Sequence, residues 1–594
     1  MSNKIVRIGG ASGFWGDSMV GAPQLVNSGL IDYLVFDYLA ETTMAILAAA
    51  RARKPEMGYA TDFVDVAMKT VLPEVMRRGI KVVANAGGIN PKACAAALRA
   101  LAESQGLQPR IAVVEGDDVS SLMSQLRSLK SKDMFTGDPL PENVLSASAY
   151  LGALPVARAL DAGADIVITG RCVDSATTLG PLIHEFGWSP VDYDRLAGGS
   201  LAGHIIECGC QATGGLHTDW QDVPDWPHIG YPIVDCIEDG SFVVSKPPGT
   251  GGVVLRAAVA EQLVYEIGDP GAYMLPDVCC DFRNVVIEQI GPEQVRVSGA
   301  RGRVPSPSYK VSATSMVGYR CAGSMVIVGI DAAAKARRTG EAIITRTREL
   351  LQKAGHKDFS SARVELLGAE ALYGPYSRAE TAREVMVRVV VDHPSSAALE
   401  IFSREIAPSG TSWAPGTTSP GGGRPSASPL TKPFAFLLGK SALTLSFTMD
   451  GHKQTVSVPL IQGDSTDHET TVPVAWLDTD EPQIEVPLIR LAWARSGDKG
   501  NISNIGVIAR RAEWLPLIWS RVTPEVVHGY FAHLVKGRVE RFHLPGISAI
   551  NYLLHEALDG GGPSSTRMDP LGKGMGQMLL DLPVWVPKSL ADSL

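Results

Sequence analysis

Short apolar runs alternate with longer helical runs through roughly the first two hundred residues of the chain. The strand-like runs are "KIVRIGG", "IDYLVFDYLAE", "IKVVANAGG", "RIAVVEGDD" and "ADIVITGRCVD". Helical runs such as "TTMAILAAARARK" and "NPKACAAALRALAESQG" separate them. Strands that are apolar almost throughout are typical of a sheet covered by helices on both faces. The pattern predicts an α/β domain with a mostly parallel, Rossmann-like sheet flanked by helices.

Polar residues and glycines gather where these predicted strands end. In parallel α/β sheets, ligands bind outside the carboxyl ends of the strands. The strand ends are residues 9–17, 37–41, 85–90, 115–118 and 170–174. The residues expected together at one rim of the sheet include Gly10, Asp37, Asn85 and Arg171.

The pattern is less regular after residue 200. Residues 201–405 mix helices and strands, with a hairpin in "VVIEQIGPEQVRVSG" and a helix at residues 331–354. Residues 407–432 are rich in Pro, Gly and Ser, which is typical of an exposed loop or lid. We assign residues 1–463 to one large domain.

A polar linker at residues 464–483 precedes a smaller domain at residues 484–594. The predicted order there is strand, polar decapeptide, strand, helices within 513–536, strand, a helix at 549–558 and a last strand. A unit of about 100 residues is large enough to fold by itself. The pattern predicts a small α+β sandwich.

Composition narrows the class of protein. Apolar residues make up 45% of the chain and charged residues 20%, as in globular proteins. The net charge of -9 argues against a nucleic-acid binder. No apolar run is long enough for a membrane helix, and without a signal peptide the eight cysteines read as reduced thiols. We expect a cytoplasmic protein with no nucleic-acid or membrane partner.

Two glycine-rich turns follow predicted strands. "GGASGFWGDS" lacks the dinucleotide spacing G-x-G-x-x-G, so no redox cofactor is predicted. Either Gly10 lets a ligand approach the backbone beside Asp17, or the turn is only tight and capped by Asp17 or Ser18. In "NAGGINP" an anion or carbonyl site is favoured over plain helix capping. The residues of that site are Asn85, Gly87, Gly88 and Asn90.

Two further segments carry a cation beside a turn. Arg171 in "TGRCVDSA" either grips a substrate carboxylate or phosphate, which is favoured, or pairs internally with Asp174. In "SKPPGTGG", Lys246 next to Gly249 and Thr250 suits an anionic ligand. The lysine precedes the glycines, so the segment is not a Walker A loop and ATP hydrolysis is not supported.

"AGHIIECGCQATGG" places His204, Glu207, Cys208 and Cys210 within seven residues. These side chains are compatible with zinc, but their spacing matches no strong finger pattern. Buried free thiols are common in protein cores. A structural or non-metal active-site role is favoured, and no metal is predicted.

Taken together, these segments resemble the acyclic terpene utilisation family, AtuA. The matching pieces are "GDS", "DYLAE", "NAGGINP", "TGRCVDSA", "ECGCQATGG", "KPPGTGG", "RSGDKGNISNIGVIAR" and "NYLLHEALDGGG". The resemblance covers nearly the whole chain and implies a large AtuA-type domain followed by a ferredoxin-like domain. It also implies a setting, the bacterial breakdown of citronellol- and geraniol-type terpenes, a pathway that works on branched acyl-CoA thioesters.

The decapeptide "RSGDKGNISN" carries more polar groups than a turn requires. It is either a wide hairpin whose side chains cap its own amides, or a functional loop over a cleft of the large domain. The functional interpretation is favoured, with Asp498 and Lys499 at the mouth of the cleft in the same chain or a neighbouring subunit. The ligand-binding candidates within it are Arg495, Asn501 and Asn504.

The favoured hypothesis is an enzyme that acts on a branched acyl-CoA or related hydroxy acid by hydration, dehydration or C–C lyase chemistry. The candidate acid–base carboxylates are Asp17, Glu41, Asp174, Glu207 and Asp498. The candidate cations for an anion or enolate are Arg171, Lys246 and Lys499. The alternative is a non-catalytic acyl-CoA-binding or scaffold protein. No cofactor is expected beyond CoA as part of a thioester substrate, and we expect a homo-oligomer.

Overall fold

The computed structural model describes residues 4–419, 421–460, 471–478 and 480–594. The strands of the large domain are β1 Val6–Gly10, β2 Tyr33–Phe36, β3 Lys81–Ala84, β4 Ile111–Glu115, β5 Val144–Ala149, β6 Ile166–Ile168, β7 Ile233–Cys236, β8 Phe242–Ser245, β9 Tyr273–Met274, β10 Cys279–Asp281, β11 Val286–Gly291, β12 Gln294–Ser298, β13 Arg301–Arg303, β14 Ser308–Val328, β15 Ser361–Leu367, β16 Glu384–His393, β17 Thr417–Thr418, β18 Ser428–Gly439, β19 Leu445–Met449 and β20 His452–Val456. Its helices are α1 Gly21–Ser28, α2 Glu41–Arg53, α3 Lys69–Arg78, α4 Pro91–Ser104, α5 Met123–Ser128, α6 Leu154–Asp161, α7 Ala176–Phe186, α8 Tyr193–Ile206, α9 Arg256–Leu263, α10 Ala332–Lys353, α11 Ser396–Ile406 and α12 Ser409–Ser412.

The main sheet of the large domain has eleven strands in the order β11-β12-β8-β7-β1-β2-β3-β6-β4-β19-β20. Only the five central strands β1, β2, β3, β6 and β4 pair in parallel. The outer strands form three hairpins, β7–β8, β11–β12 and β19–β20, whose short connections make them antiparallel. They also pair antiparallel with one another and with the central strands. The prediction of a Rossmann-like parallel sheet therefore holds for its centre, and the sheet as a whole is mixed.

The carboxyl ends of the central strands are level with one another. Gly10 pairs with Val35, Phe36 pairs with Ala84, and Ala84 pairs with Ile168. The residues that follow these strands consequently lie along one edge, which we call the rim. As predicted, the rim includes Gly10, Asp37, Asn85 and Arg171.

A second sheet is built on the long strand β14, which pairs with β5, β16, β17 and β18. The Pro/Gly/Ser-rich segment 407–432 belongs partly to this sheet, since it contains α12, β17 and the start of β18. The prediction of an exposed loop throughout is wrong for those parts. Pairing with β14 satisfies backbone groups that composition alone would assign to solvent. Pro420 lies outside the described residues.

The C-terminal domain folds around an antiparallel four-stranded sheet in the order β22-β23-β25-β24. Its strands are β21 Gln483–Pro487, β22 Ala492–Lys499, β23 Ile502–Ala509, β24 Val539–Leu544, β25 Ala549–Leu554 and β26 Pro583–Pro587. Its helices are α13 Leu515–Arg521, α14 Pro524–Tyr530, α15 Met575–Leu579 and α16 Lys588–Ser593. The predicted helix at 549–558 is wrong, because β25 is a buried inner strand whose apolar run imitates a buried helix.

The decapeptide at 495–504 is a tight hairpin and not a long loop. Lys499 pairs with Ile502, so only Gly500 and Asn501 form the turn between β22 and β23. Gly500 has a φ of 66°, which glycine adopts without steric cost. Apart from Asn501 in the turn, the polar side chains of the segment therefore lie on strands.

The predicted linker at 464–483 is described only in part, because residues 464–470 and 479 lie outside the described residues. Thr471 Oγ1 lies 3.2 Å from His543 Nδ1, and Trp476 packs against the core of the C-terminal domain. Residues 471–478 thus belong with the smaller domain.

The two domains share apolar packing. Trp493, Ile508, Leu544 and Ile547 of the C-terminal domain join the main core cluster of the large domain. A Cβ placed on Gly506 would lie 2.2 Å from Val264 Cγ2, so β23 approaches the end of α9 very closely. The hairpin is consequently held against the large domain of its own chain. Within the described residues, no helix has the length and hydrophobicity that crossing a membrane requires.

Candidate functional site

Arg171 is buried at the rim, directly after β6, with 4% of its surface exposed. Its Nη1 donates to Asp174 Oδ1 at 2.9 Å, and its guanidinium lies 4.1 Å from the centre of the Tyr150 ring. Its backbone N–H donates to Asp117 Oδ2 at 2.9 Å. The internal Arg171–Asp174 pair is therefore present, and it compensates the cost of burying the guanidinium.

Asp37 and Asn85 form a buried pair on neighbouring strand ends. Asn85 Nδ2 donates to Asp37 Oδ1 at 2.5 Å, and the N–H of Tyr38 donates to Asn85 Oδ1 at 2.8 Å. Burial, together with the negative charge of Asp174, raises the pKa of Asp37 well above its usual value. Asn85 is thus engaged within the protein, and its buried partner Asp37 holds a proton more readily than an exposed aspartate does.

Glu41, the first residue of α2, is a stable anion. The Tyr150 hydroxyl donates to Glu41 Oε1 at 2.6 Å, and Lys310 Nζ lies 3.7 Å from the same oxygen. Although burial favours the neutral acid, the charges of Lys310 and Arg171 hold the pKa of Glu41 below its usual value. Its side chain is 41% exposed, so the carboxylate faces open space.

His204 and Glu207 share a proton at the end of α8. His204 Nδ1 lies 2.9 Å from Glu207 Oε1, while Nε2 lies 3.2 Å from the carbonyl oxygen of Leu263 and must donate to it. Burial raises the pKa of Glu207, and although burial opposes the charged imidazole, Glu207 raises the pKa of His204. Whichever side chain holds it, a transferable proton lies between Nδ1 and the carboxyl group.

Lys499 reaches this region from the last strand residue before the hairpin turn. Its Nζ lies 3.6 Å from Glu266 Oε2, and Glu266 also pairs with Lys573 at 2.6 Å. Burial opposes the charged form, but Glu266, Tyr273, Asp174 and Glu41 together raise the pKa of Lys499 well above its usual value. Its side chain is 44% exposed, so a fixed ammonium lines a water-accessible space.

Asp498 lies beside Lys499 and is bound more tightly. Lys573 Nζ lies 3.3 Å from Asp498 Oδ1. Burial and the charge of Glu266 raise the pKa of Asp498 to about 6. Asp498 therefore helps to place Lys573 and Glu266, and its proton is exchangeable near neutral pH.

Four predicted catalytic residues are brought together between the domains. We call Glu41, Asp174, Glu207 and Lys499 the interdomain cluster. The charges of Asp174 and Glu41 both raise the pKa of Lys499. The charge of Asp174 raises the pKa of Glu207, and that of Lys499 lowers it. The cluster combines the Lys499 ammonium, the Glu41 carboxylate, the Asp174 carboxyl group and the proton-sharing Glu207, and these groups can perform acid–base chemistry with charge stabilisation.

Two of the other polar residues of the hairpin bind the large domain, and a third, Asn501, bonds within the C-terminal domain. Asn504 Nδ2 donates to the Val264 carbonyl at 2.7 Å, and Arg495 Nη1 donates to the Leu216 carbonyl at 3.3 Å. Asn501 Oδ1 accepts the N–H of Gly560 at 2.9 Å. The structure thus uses these predicted ligand-binding groups to position Lys499.

The first glycine-rich turn, "GGASGFWGDS", packs closely against neighbouring segments. A Cβ on Gly10 would lie 2.4 Å from the carbonyl oxygen of Ile206. Asp17 accepts hydrogen bonds from the N–H of Gly13 at 2.8 Å and the hydroxyl of Tyr231 at 2.9 Å. The close turn, which was one of the two alternatives, accounts for both residues, and Asp17 does not join the interdomain cluster.

The "NAGGINP" turn is also bonded within the protein. The N–H of Gly87 donates to the Thr169 carbonyl at 3.0 Å, and that of Gly88 to the Asn85 carbonyl at 3.3 Å. Asn90 Nδ2 donates to the Met57 carbonyl at 2.8 Å. These donors are consequently not free for an anion, although Gly88 and Asn90 line a cavity.

Lys246 bonds to neighbouring groups of the protein. Its Nζ donates to the Thr250 carbonyl at 2.9 Å and lies 3.4 Å from Glu293 Oε2, with 7% of the side chain exposed. The Thr250 hydroxyl donates to the Pro247 carbonyl at 2.6 Å, and Gly249 has a φ of 76°. These contacts explain the segment without a ligand.

The cysteines beside His204 are protonated thiols. Burial raises the pKa of Cys208 well above its usual value and that of Cys210 to about 12. Zinc binds the thiolate, which burial disfavours here. Among the residues that the structure describes, no group of three or more metal-ligating side chains is arranged to hold an ion.

Several site residues had no signal in the sequence. Tyr150, Glu266, Tyr273 and Lys310 reach the cluster through contacts between segments far apart in the chain, which local patterns do not encode. Lys573 is flanked by glycines in "LGKG", and that turn-like context is the one feature that could have singled it out.

Comparison with known proteins agrees with this architecture. Residues 6–449 match the acyclic terpene utilisation family protein AtuA, and residues 486–585 match the AtuA ferredoxin-like domain. No curated protein and no solved structure matches the chain. Because the first match alone spans well over half of its length, the chain belongs to the acyclic terpene utilisation family AtuA, with the ferredoxin-like domain of that family at its C-terminal end.

Proposed function

We propose that the protein is an enzyme of acyclic terpene breakdown that adds or removes water on a branched acyl thioester. The observation that carries this proposal is the His204–Glu207 pair, which shares a proton at 2.9 Å and whose Glu207 has a pKa that the charges of Asp174 and Lys499 both influence. Dehydration of a hydroxyacyl group needs a base, an acid for the leaving hydroxyl, and a cation for the enolate oxygen. The cluster offers one group for each role.

Each group has a defined task in the proposed reaction. Asp174 takes the proton from the carbon next to the carbonyl, and Lys499 stabilises the enolate oxygen. Glu207 gives its shared proton to the hydroxyl as the C–O bond breaks, so that water leaves. Hydration runs the same steps in reverse, with the proton returning to Glu207.

The charge balance favours a thioester over a free acid. The cations around the cluster already face carboxylates: Arg171 faces Asp174, Lys310 faces Glu41, and Lys499 and Lys573 face Glu266. A free substrate carboxylate would compete with these pairs, whereas a neutral thioester carbonyl needs only a hydrogen bond. C–C lyase chemistry also passes through an enolate, so it is the second candidate reaction.

The test is turnover of geranyl- and citronellyl-type CoA esters and their hydroxy derivatives, followed by mass spectrometry. A mass change of one water supports the proposal, and fragmentation of the carbon chain supports the lyase. Retention of the thioester without any product supports a non-catalytic binder and contradicts both reactions.

Lys499→Met is the decisive variant because it removes the ammonium and keeps the length of the side chain. We expect turnover to fall by at least about a hundredfold, as for the loss of one oxyanion donor. The melting temperature should change little, since Lys499 is partly exposed. Lys536→Met, at a 70% exposed lysine of the same domain, is the matched control. Full activity of Lys499→Met would contradict the proposed role.

A further inference from the structure

A cavity of about 460 Å³ lies at the rim beyond β3 and β4, outside the interdomain cluster. Its walls come from α2, the "NAGGINP" turn, the segment after β4, and β5. The volume falls within the range of small-molecule sites, and the position is where α/β sheets bind ligands. The contacts described above give this cavity no role.

The lining combines two kinds of polar group. Arg51 and Lys92 supply cations: Arg51 donates from Nη1 to the Ile89 carbonyl at 2.5 Å, and Lys92, 69% exposed, lies 2.7 Å from Glu115. Acceptors for hydroxyl groups come from Glu115, Asp117 and Asp118. Burial raises the pKa of Asp117 to about 7, which reduces the negative charge on this wall. Cations beside hydroxyl acceptors suit a ligand that carries both phosphate and sugar hydroxyls.

The cavity and the interdomain cluster lie along the same two elements, α2 and β5, which pack together. On β5, Ser146 and Ser148 line the cavity, and Tyr150, two residues further on, contacts Glu41. Two residues of strand span about 7 Å. On α2, Glu41 and Arg51 are ten residues apart, which corresponds to about 15 Å of helix. The cavity and Glu41 are thus separated by a distance of about 15 Å, which an elongated ligand can reach.

We propose that this cavity binds the ribose-phosphate end of a nucleotide-bearing thioester whose acyl end lies at the interdomain cluster. The inference rests on the proposed function and extends it, since it assigns a site to the part of the substrate that does not react. Arg51 and Lys92 would contact the phosphate, and the carboxylates after β4 would accept ribose hydroxyls.

The experiment measures binding and not turnover. Free CoA, adenosine 3′,5′-bisphosphate and inorganic phosphate are titrated separately into the full chain by calorimetry. We expect CoA and the bisphosphate to compete for one site. The double variant Arg51→Ala/Lys92→Ala should weaken CoA binding by about tenfold or more. Arg53→Ala, an exposed arginine on the same helix that does not line the cavity, is the matched control.

A second variant, Ala52→Trp, fills the mouth of the cavity from an exposed helix position and should block CoA without affecting folding. Unchanged CoA affinity in both variants would overturn the assignment, and so would inorganic phosphate competing as well as the bisphosphate. These outcomes are separate from the enzyme proposal: a Lys499→Met protein that loses turnover but binds CoA normally leaves the cavity assignment intact.

Discussion

Asp498 shows how its surroundings at the domain boundary change the pKa of a single residue. Its folded-state pKa of about 6 lies above its ordinary value, so the folded chain holds this proton more tightly than the unfolded chain. The contribution of Asp498 to the free energy of unfolding therefore falls as pH rises from about 4 to about 6, by at most about 3 kcal/mol.

Asp498→Asn should remove that pH dependence. Measured by urea unfolding, the variant should gain stability relative to the wild-type protein as pH rises from about 4 to about 7. Asp592→Asn, at an exposed aspartate, controls for the loss of a negative charge. A stability difference that stays constant with pH, or falls, contradicts the assigned environment of Asp498.

At the scale of elements, the hairpin β22–β23 depends on its turn. Gly500 has a positive φ with no neighbouring atom near the position of a Cβ, so only backbone strain opposes a side chain. Gly500→Ala should lower the free energy of unfolding by about 1–2 kcal/mol, the cost of the left-handed conformation. Gly500→Asn should cost less, because asparagine tolerates this region. Equal unfolding midpoints for all three proteins in urea would contradict the turn geometry.

Sequence patterns predicted elements where burial and periodicity agree. β1, β2, β3 and β6 were visible as apolar runs, and their polar ends placed Asp37, Asn85 and Arg171 on one rim. The sequence of β25 also suits a helix, because a short, largely buried and mostly apolar run has no distinguishing period.

The candidate site was predictable only in part. Lys499 and Asp174 stood out as charged residues beside turns, but Glu266 and Lys310 become relevant only through pairings between distant segments. The glycines of the rim stood out equally, yet Gly10 is explained by the close approach of Ile206. A glycine in the sequence indicates that the backbone needs space at that position. Only the fold shows whether a ligand or a neighbouring segment takes up that space.

For the whole molecule, the close contact between Gly506 and Val264 sets how the domains fit. Gly506→Ala should destabilise the protein by about 1–3 kcal/mol through overpacking and should lower any activity that depends on Lys499. Gly529→Ala, where the added Cβ meets open space, is the control and should be neutral or slightly stabilising. Scanning calorimetry measures the stability of both variants. A fully stable and active Gly506→Ala protein would contradict the docking described here.

The docked hairpin has a consequence for how the protein is made. A ribosome synthesises the chain from its N-terminus, so the acidic half of the interdomain cluster is complete long before Lys499 is added. A nascent or prematurely terminated chain that lacks the last domain holds Glu41, Asp174 and Glu207 with Arg171 and Lys310 but without the Lys499 ammonium. The proposed activity would therefore arise only late in synthesis, once the C-terminal domain has docked.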